Sequence, residues 1–212
     1  MTDLNALEAW AQIHGWQFKP ARTQDGFVIE PPGLPPPWRL EWGPSHRAYL
    51  GPLELRLRAP LAIDPDAYAV VLPRALQAAL EAEMYQSFTD SVRTRLDEAW
   101  PEELRWLAVS TRLGSAELGT LRDMLGAAGN VDRWLQAWLA RPAGALLAQA
   151  MQRDPSTPLV VTLQQSVLCL RVGLPQVEPV ALDDLIRLFE AVLSDARDGL
   201  ASFEPPAPAD AP

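Results

Sequence analysis

The sequence predicts an α+β protein, a mostly antiparallel sheet packed with helices, in the order α-βββ-α-β-(helical insert)-ββ-α. Two segments carry the strand prediction. Trp38-Arg39-Leu40-Glu41-Trp42 and Leu53-Glu54-Leu55-Arg56-Leu57-Arg58 alternate apolar with charged residues, as half-buried strands do. Other stretches repeat apolar residues at helical spacing. With 48% hydrophobic and 21% charged residues, the 212-residue chain has material for a core and fits neither a disordered nor a fibrous class. No low-complexity linker divides it, so residues 1–203 read as a single domain.

Taken in order, Asp3 caps a helix over 3–14 whose stripe is Leu4, Leu7, Trp10, Ala11 and Ile13, and Gly15 ends it. Phe27-Val28-Ile29 is a short strand. Pro31 to Pro37 lacks ladder donors and reads as an extended loop, with a polyproline contact as the other reading. The two alternating strands follow, and their 43–52 connection suits an antiparallel pair. Asp64-Pro65 opens a long helical region in which Leu76, Leu80, Met84, Phe88, Val92 and Leu96 recur every four residues, to about 97. Residues 104 to 113 read as a strand, although Pro101-Glu102-Glu103 also resembles a helix start. A helical insert spans about 115–153. In it Ser115 caps a helix to about 127, Gly126 and Gly129 bracket a turn, and Trp134, Leu135, Trp138 and Leu139 share one face of the next helix. A third helix follows Pro142. Leu159–Leu163 and Val167–Val172 are apolar strands without clean alternation, as expected of strands covered on both faces. A last helix from about 181 buries Leu182, Leu185, Leu188, Phe189, Val192, Ala196 and Leu200, with Asp183 and Asp184 in its first turn. Residues 204–212 are a Pro/Ala-rich tail read as disordered.

Charge narrows the partners. Twenty-seven acidic residues against 18 basic ones give a net −9, which argues against nucleic acid and against an anionic membrane surface. No apolar run reaches the roughly 20 residues that span a bilayer, and the N-terminus lacks the pattern of a signal peptide. Cys169, the single cysteine, has no internal disulfide partner and reads as a small buried hydrophobe. Together these point to a cytoplasmic, bacterial protein. The charge is uneven. Residues 178–212 are strongly acidic, whereas residues 37–58 carry Arg39, Arg47, Arg56 and Arg58 against Glu41 and Glu54.

No catalytic constellation, metal set or cofactor motif is present. Two histidines and one cysteine fall short of zinc-site spacing, and no phosphate loop or nucleophile elbow occurs. His46, Arg47 and Tyr49, in the loop between the alternating strands, are candidate ligand-binding residues. Arg39 and Arg56 on the outward strand face join them as groups suited to a carboxylate-bearing partner. The plainer readings are a polar turn and cross-strand ion pairs. His14 is a helix C-terminal residue whose charged form suits the dipole. Trp134 and Trp138 are candidate interface residues, able to line a groove or a dimer contact.

The order of elements, in so acidic a chain, resembles that of the small type III secretion chaperones, α-βββ-α-ββ-α, with the helices of 115–153 extra. The resemblance lies in element order and in no residue motif. The first functional expectation is a non-enzymatic protein-interaction module that binds a protein partner or self-associates as a homodimer through an apolar groove or sheet face. The alternative is a small-ligand-binding protein or enzyme with a pocket near the 43–50 loop.

Overall fold

The computed structural model describes residues 2–21, 26–90 and 101–201. The predicted continuation of the long helix through Val92 and Leu96, and the 204–212 tail, lie outside the described residues.

Helix α1 (Leu4–Ile13) is capped as expected. The Asp3 carboxylate accepts from the backbone N–H groups of Asn5 (3.0 Å) and Ala6 (3.2 Å), and Gly15 closes the helix at φ +71°. An antiparallel meander follows: β1 (Gln17–Pro20), β2 (Phe27–Glu30), β3 (Arg39–Pro44) and β4 (Leu53–Pro60). β1 has no alternating signal, because it is a short, largely exposed edge strand that buries no face. In β3 and β4 the alternation comes out as read: Leu40, Leu55 and Leu57 are buried, while Glu41, Arg56 and Arg58 point to the other face.

Four expectations along the middle of the chain are corrected. The helical region expected from Asp64 begins with a strand, β5 (Ala69–Pro73). Its Val-Val-Leu run is covered on both faces, so nothing alternates. Helix α2 (Arg74–Asp90) starts only after Pro73 and buries Leu80 and Met84. The strand expected from 104 is helix α3 (Glu102–Val109), followed by a two-residue strand, β6 (Thr111–Arg112). Leu104 and Leu107, three apart, share the buried side of α3, and Val109 is 65% exposed, so helical rather than alternating burial wins. The helix from Ser115 stops after one turn, α4 (Ser115–Leu118). The turn expected at Gly126 and Gly129 is a buried strand, β7 (Leu125–Gly129). A Cβ at Gly126 would lie 1.7 Å from the Gln77 side-chain oxygen, so the strand's small residues let α2 lie close above it.

The rest matches closely. α5 (Asp132–Leu139) and α6 (Pro142–Arg153) are followed by the hairpin β8 (Leu159–Gln164) and β9 (Val167–Gly173). The hairpin turns on Gln165 and Ser166, both at positive φ as a two-residue turn requires. α7 (Pro179–Ala201) starts two residues earlier than read, which moves Asp183 and Asp184 out of its first turn. All nine strands form one antiparallel sheet in the order β1-β2-β3-β4-β9-β8-β5-β7-β6. One face is apolar throughout and lies under α1, α5, α6 and α7, forming the main core. The opposite face is divided. Its β8-β5-β7 part packs Val70, Leu72, Ala128 and Val160 against Leu80 and Met84 of α2 and Leu104 and Leu107 of α3. Its other part, from β1 to β4 and β9, carries charged side chains.

Candidate functional site

The loop between β3 and β4 folds back over the charged face. Ser45 donates its backbone N–H to the Pro52 carbonyl, and a 3₁₀ turn spans Ala48–Leu50. The Leu50 carbonyl oxygen lies 2.2 Å from where a Cβ at Gly173 would sit, so only glycine lets the loop descend there. Gly173 pairs with Glu54. Glu54, expected on the solvated face, is therefore 0% exposed.

Of the candidate ligand residues in this loop, the structure brings two together. Arg47 donates through Nε and, at 3.3 Å, through Nη2 to the Glu103 carboxylate, and the Tyr49 hydroxyl donates to the same group. Glu103, on α3, is buried. Burial alone would raise its pKa, but the hydrogen bond and charge of Arg47, then the Tyr49 hydroxyl, hold it below the ordinary carboxylate range. Arg47 is itself partly desolvated, yet the Glu103 carboxylate keeps it firmly protonated. Burial, then the neighbouring Glu103 charge, push the Tyr49 phenol upward, so it stays a donor. Arg47 and Tyr49 are thus committed to pinning α3 against the loop. His46 is exposed and has no hydrogen bond or ion pair to a described residue. The three do not converge on a pocket.

Arg39 and Arg56 meet on the sheet, in a ladder of ion pairs. Lys19 (2.8 Å) and Arg39 (2.9 Å) bind Glu30, while Arg39 (2.6 Å), Arg58 (2.5 Å) and Arg56 (3.4 Å) surround Glu41. Arg171 (3.1 Å) and Arg56 (3.6 Å) flank Glu54. The Lys19 hydrogen bond is the largest cause of the lowered Glu30 pKa. Among the described residues, five cations (Lys19, Arg39, Arg56, Arg58, Arg171) face three carboxylates (Glu30, Glu41, Glu54) on this surface. The Nε groups of Arg56 and Arg171 are buried and donate to no described residue.

Trp134 and Trp138 are corrected as interface residues. Both are buried, Trp138 to 1% exposure, and they stack at 5.1 Å. Their indole N–H groups donate to the Ala196 and Val192 carbonyls of α7, each at 3.1 Å. They seal α5 onto α7 inside the core, so neither is free to line a groove or a dimer contact.

The groove lies elsewhere, between α6 and α7. A cleft of about 480 Å³ is walled by Leu146 and Ala150 of α6 and by Leu185 and Leu188 of α7, with Leu159 and Val172 as its floor. Leu146 is 40% exposed, and Leu185 and Leu188 are half-buried. Arg153 (4.0 Å) and Arg187 (3.9 Å) share Asp184 at the rim. Beside them Asp154 accepts from Ser156 and Thr157, which lowers its pKa. Sequence reasoning placed Leu185 and Leu188 in the core with Leu182 and Phe189. The available signal was width: apolar residues at 182, 185, 186, 188 and 189 cover more of the helix circumference than one packing face uses. A second cleft, about 710 Å³, joins Tyr49 to Leu76, Met124 and Met151 at the end of the sheet.

Among the described residues, no group of three or more His, Cys, Asp or Glu is placed to hold a metal ion, and no helix is long and apolar enough to cross a membrane. Cys169 is buried, and burial raises its thiol pKa.

No family model matches this chain, and no curated protein matches its sequence. Among solved structures, the mycobacterial trehalose monomycolate transport factor A, TtfA, is similar in backbone, with a TM-score of 0.48 and 8% identity over 97% of each chain. At that distance the likeness carries no argument about function.

Proposed function

We propose that this chain is a non-enzymatic protein-interaction module that receives an amphipathic helix of a protein partner in the α6–α7 cleft. The observation that carries the reading is the cleft's construction, with apolar walls and floor left open to solvent under a rim of both charge signs. Two helices flanking an apolar trough take a third helix through its apolar face, and the rim fixes its orientation. The pocket reading of the 43–50 loop loses support, because Glu103 occupies the donors of Arg47 and Tyr49. A small apolar ligand is the competing occupant, since the cleft volume falls in the range such sites have.

A photoreactive residue placed at Leu185 of the full chain, in its own cells, tests this. A discrete protein adduct is expected at position 185 and not at Val109, which is exposed on α3 beyond the opposite face of the sheet. Adducts at both positions or at neither would overturn the proposal. A bound small molecule seen by native mass spectrometry, with no protein adduct, would replace it with the ligand reading.

A further inference from the structure

We infer that the open, charged half of the sheet is a second docking surface, for an acidic polypeptide segment of a partner, and that it works independently of the α6–α7 cleft. The rest of this sheet face lies under α2 and α3, and the β3–β4 loop closes over Glu54, but Lys19, Arg39 and Arg58 on β1, β3 and β4 stay well exposed. The cations there outnumber the carboxylates by two, in a chain whose net charge is −9. This local surplus runs against the charge of the whole molecule and draws anionic groups to this face. Every carboxylate on the face already has a cation, and the most exposed charges there are cations: Lys19, Arg39 and Arg58 are 52%, 39% and 45% exposed, against 15% for Glu30 and 13% for Glu41. Guanidinium donors in a fixed fork suit carboxylates.

Spacing selects the occupant. From Lys19 on β1 to Arg171 on β9 the row crosses four inter-strand gaps, about 19 Å at the usual strand separation. One phosphate or one small carboxylate satisfies a single position of such a row. A polypeptide with several acidic side chains meets it along its length. Glu30 and Glu41, interleaved with the cations, disfavour a continuous polyanion such as nucleic acid or an anionic bilayer.

The test is fluorescence anisotropy of a labelled oligoglutamate peptide with the full chain. Binding that weakens as salt is added is expected. The double variant Arg39→Gln/Arg58→Gln is expected to bind at least about tenfold more weakly with an unchanged melting temperature, since both side chains are well exposed. Lys19→Gln, on the edge strand, is expected to give a smaller loss in the same direction, which secures the result if the double variant folds poorly. Leu185→Asp is expected to leave oligoglutamate binding unchanged. Absence of binding, binding indifferent to the sheet variants, or loss with Leu185→Asp would overturn the inference. So would equal or tighter binding of single-stranded oligonucleotide or phosphatidylglycerol vesicles that is lost in the same sheet variants.

Discussion

The two faces of the sheet are built from alternate residues of the same strands, yet they do different physical work. On one face Leu40, Leu55, Leu57 and Leu170 lie under four helices, with the Trp134–Trp138 stack sealing α5 against α7. On the other, Glu41, Arg56 and Arg171 carry ion pairs that are mostly partly exposed. Apolar burial scales with area and resists salt. Exposed ion pairs contribute little, because water competes for each partner. The fold is therefore held mainly by apolar burial under the helices, and the exposed ion pairs of the charged face add little to it.

Trp138→Ala probes the covered face and carries the largest expected effect. It removes a buried indole and its hydrogen bond to Val192, at a cost of about 3–5 kcal/mol in urea unfolding. A loss under about 1 kcal/mol would mean that α5 does not depend on this contact. Next comes Glu103→Ala, at the boundary between covered and open halves of the charged face. It strands Arg47 and Tyr49 and is expected to cost about 2–3 kcal/mol, at or below the lower end for a broken buried pair because Arg47 keeps some exposure. The pH dependence has a definite sign. The folded pKa of Glu103 is lowered, so its stabilisation is fully present above its ordinary value near 4.5 and is lost as pH falls toward the folded pKa. Wild type and Glu103→Gln should therefore differ most near neutrality and converge in acid. A gap that widens in acid would contradict the assignment. Smallest is Arg58→Ala on the open half, expected to change stability by less than about 1 kcal/mol, and by less still in high salt.

The division between faces was partly legible in the sequence. Alternation in β3 and β4 marked both the buried leucines and the charged row, because a strand period of two maps directly onto two environments. β5 and β7 were not legible. Val70 and Val71 are buried on opposite faces and so erase the period, and the Gly and Ala residues of β7 lack strand propensity and are there for close packing. The Trp134–Trp138 stripe was legible as a helix face, but spacing alone does not say whether a stripe meets the core or a partner. Arg47 and Tyr49 were singled out as ligand-binding residues, whereas in the structure both donate to Glu103. Their partner Glu103 lies more than fifty residues away on a segment read as strand, so no local pattern linked them.

The claim that the cleft, rather than the charged face, receives the helix of the partner is tested most directly by calorimetry. The segment captured at position 185 is titrated into wild type, Leu185→Asp and Arg58→Gln. The cleft reading predicts at least about a tenfold loss for Leu185→Asp and little change for Arg58→Gln. Full affinity in Leu185→Asp, with the loss falling on Arg58→Gln, would contradict it.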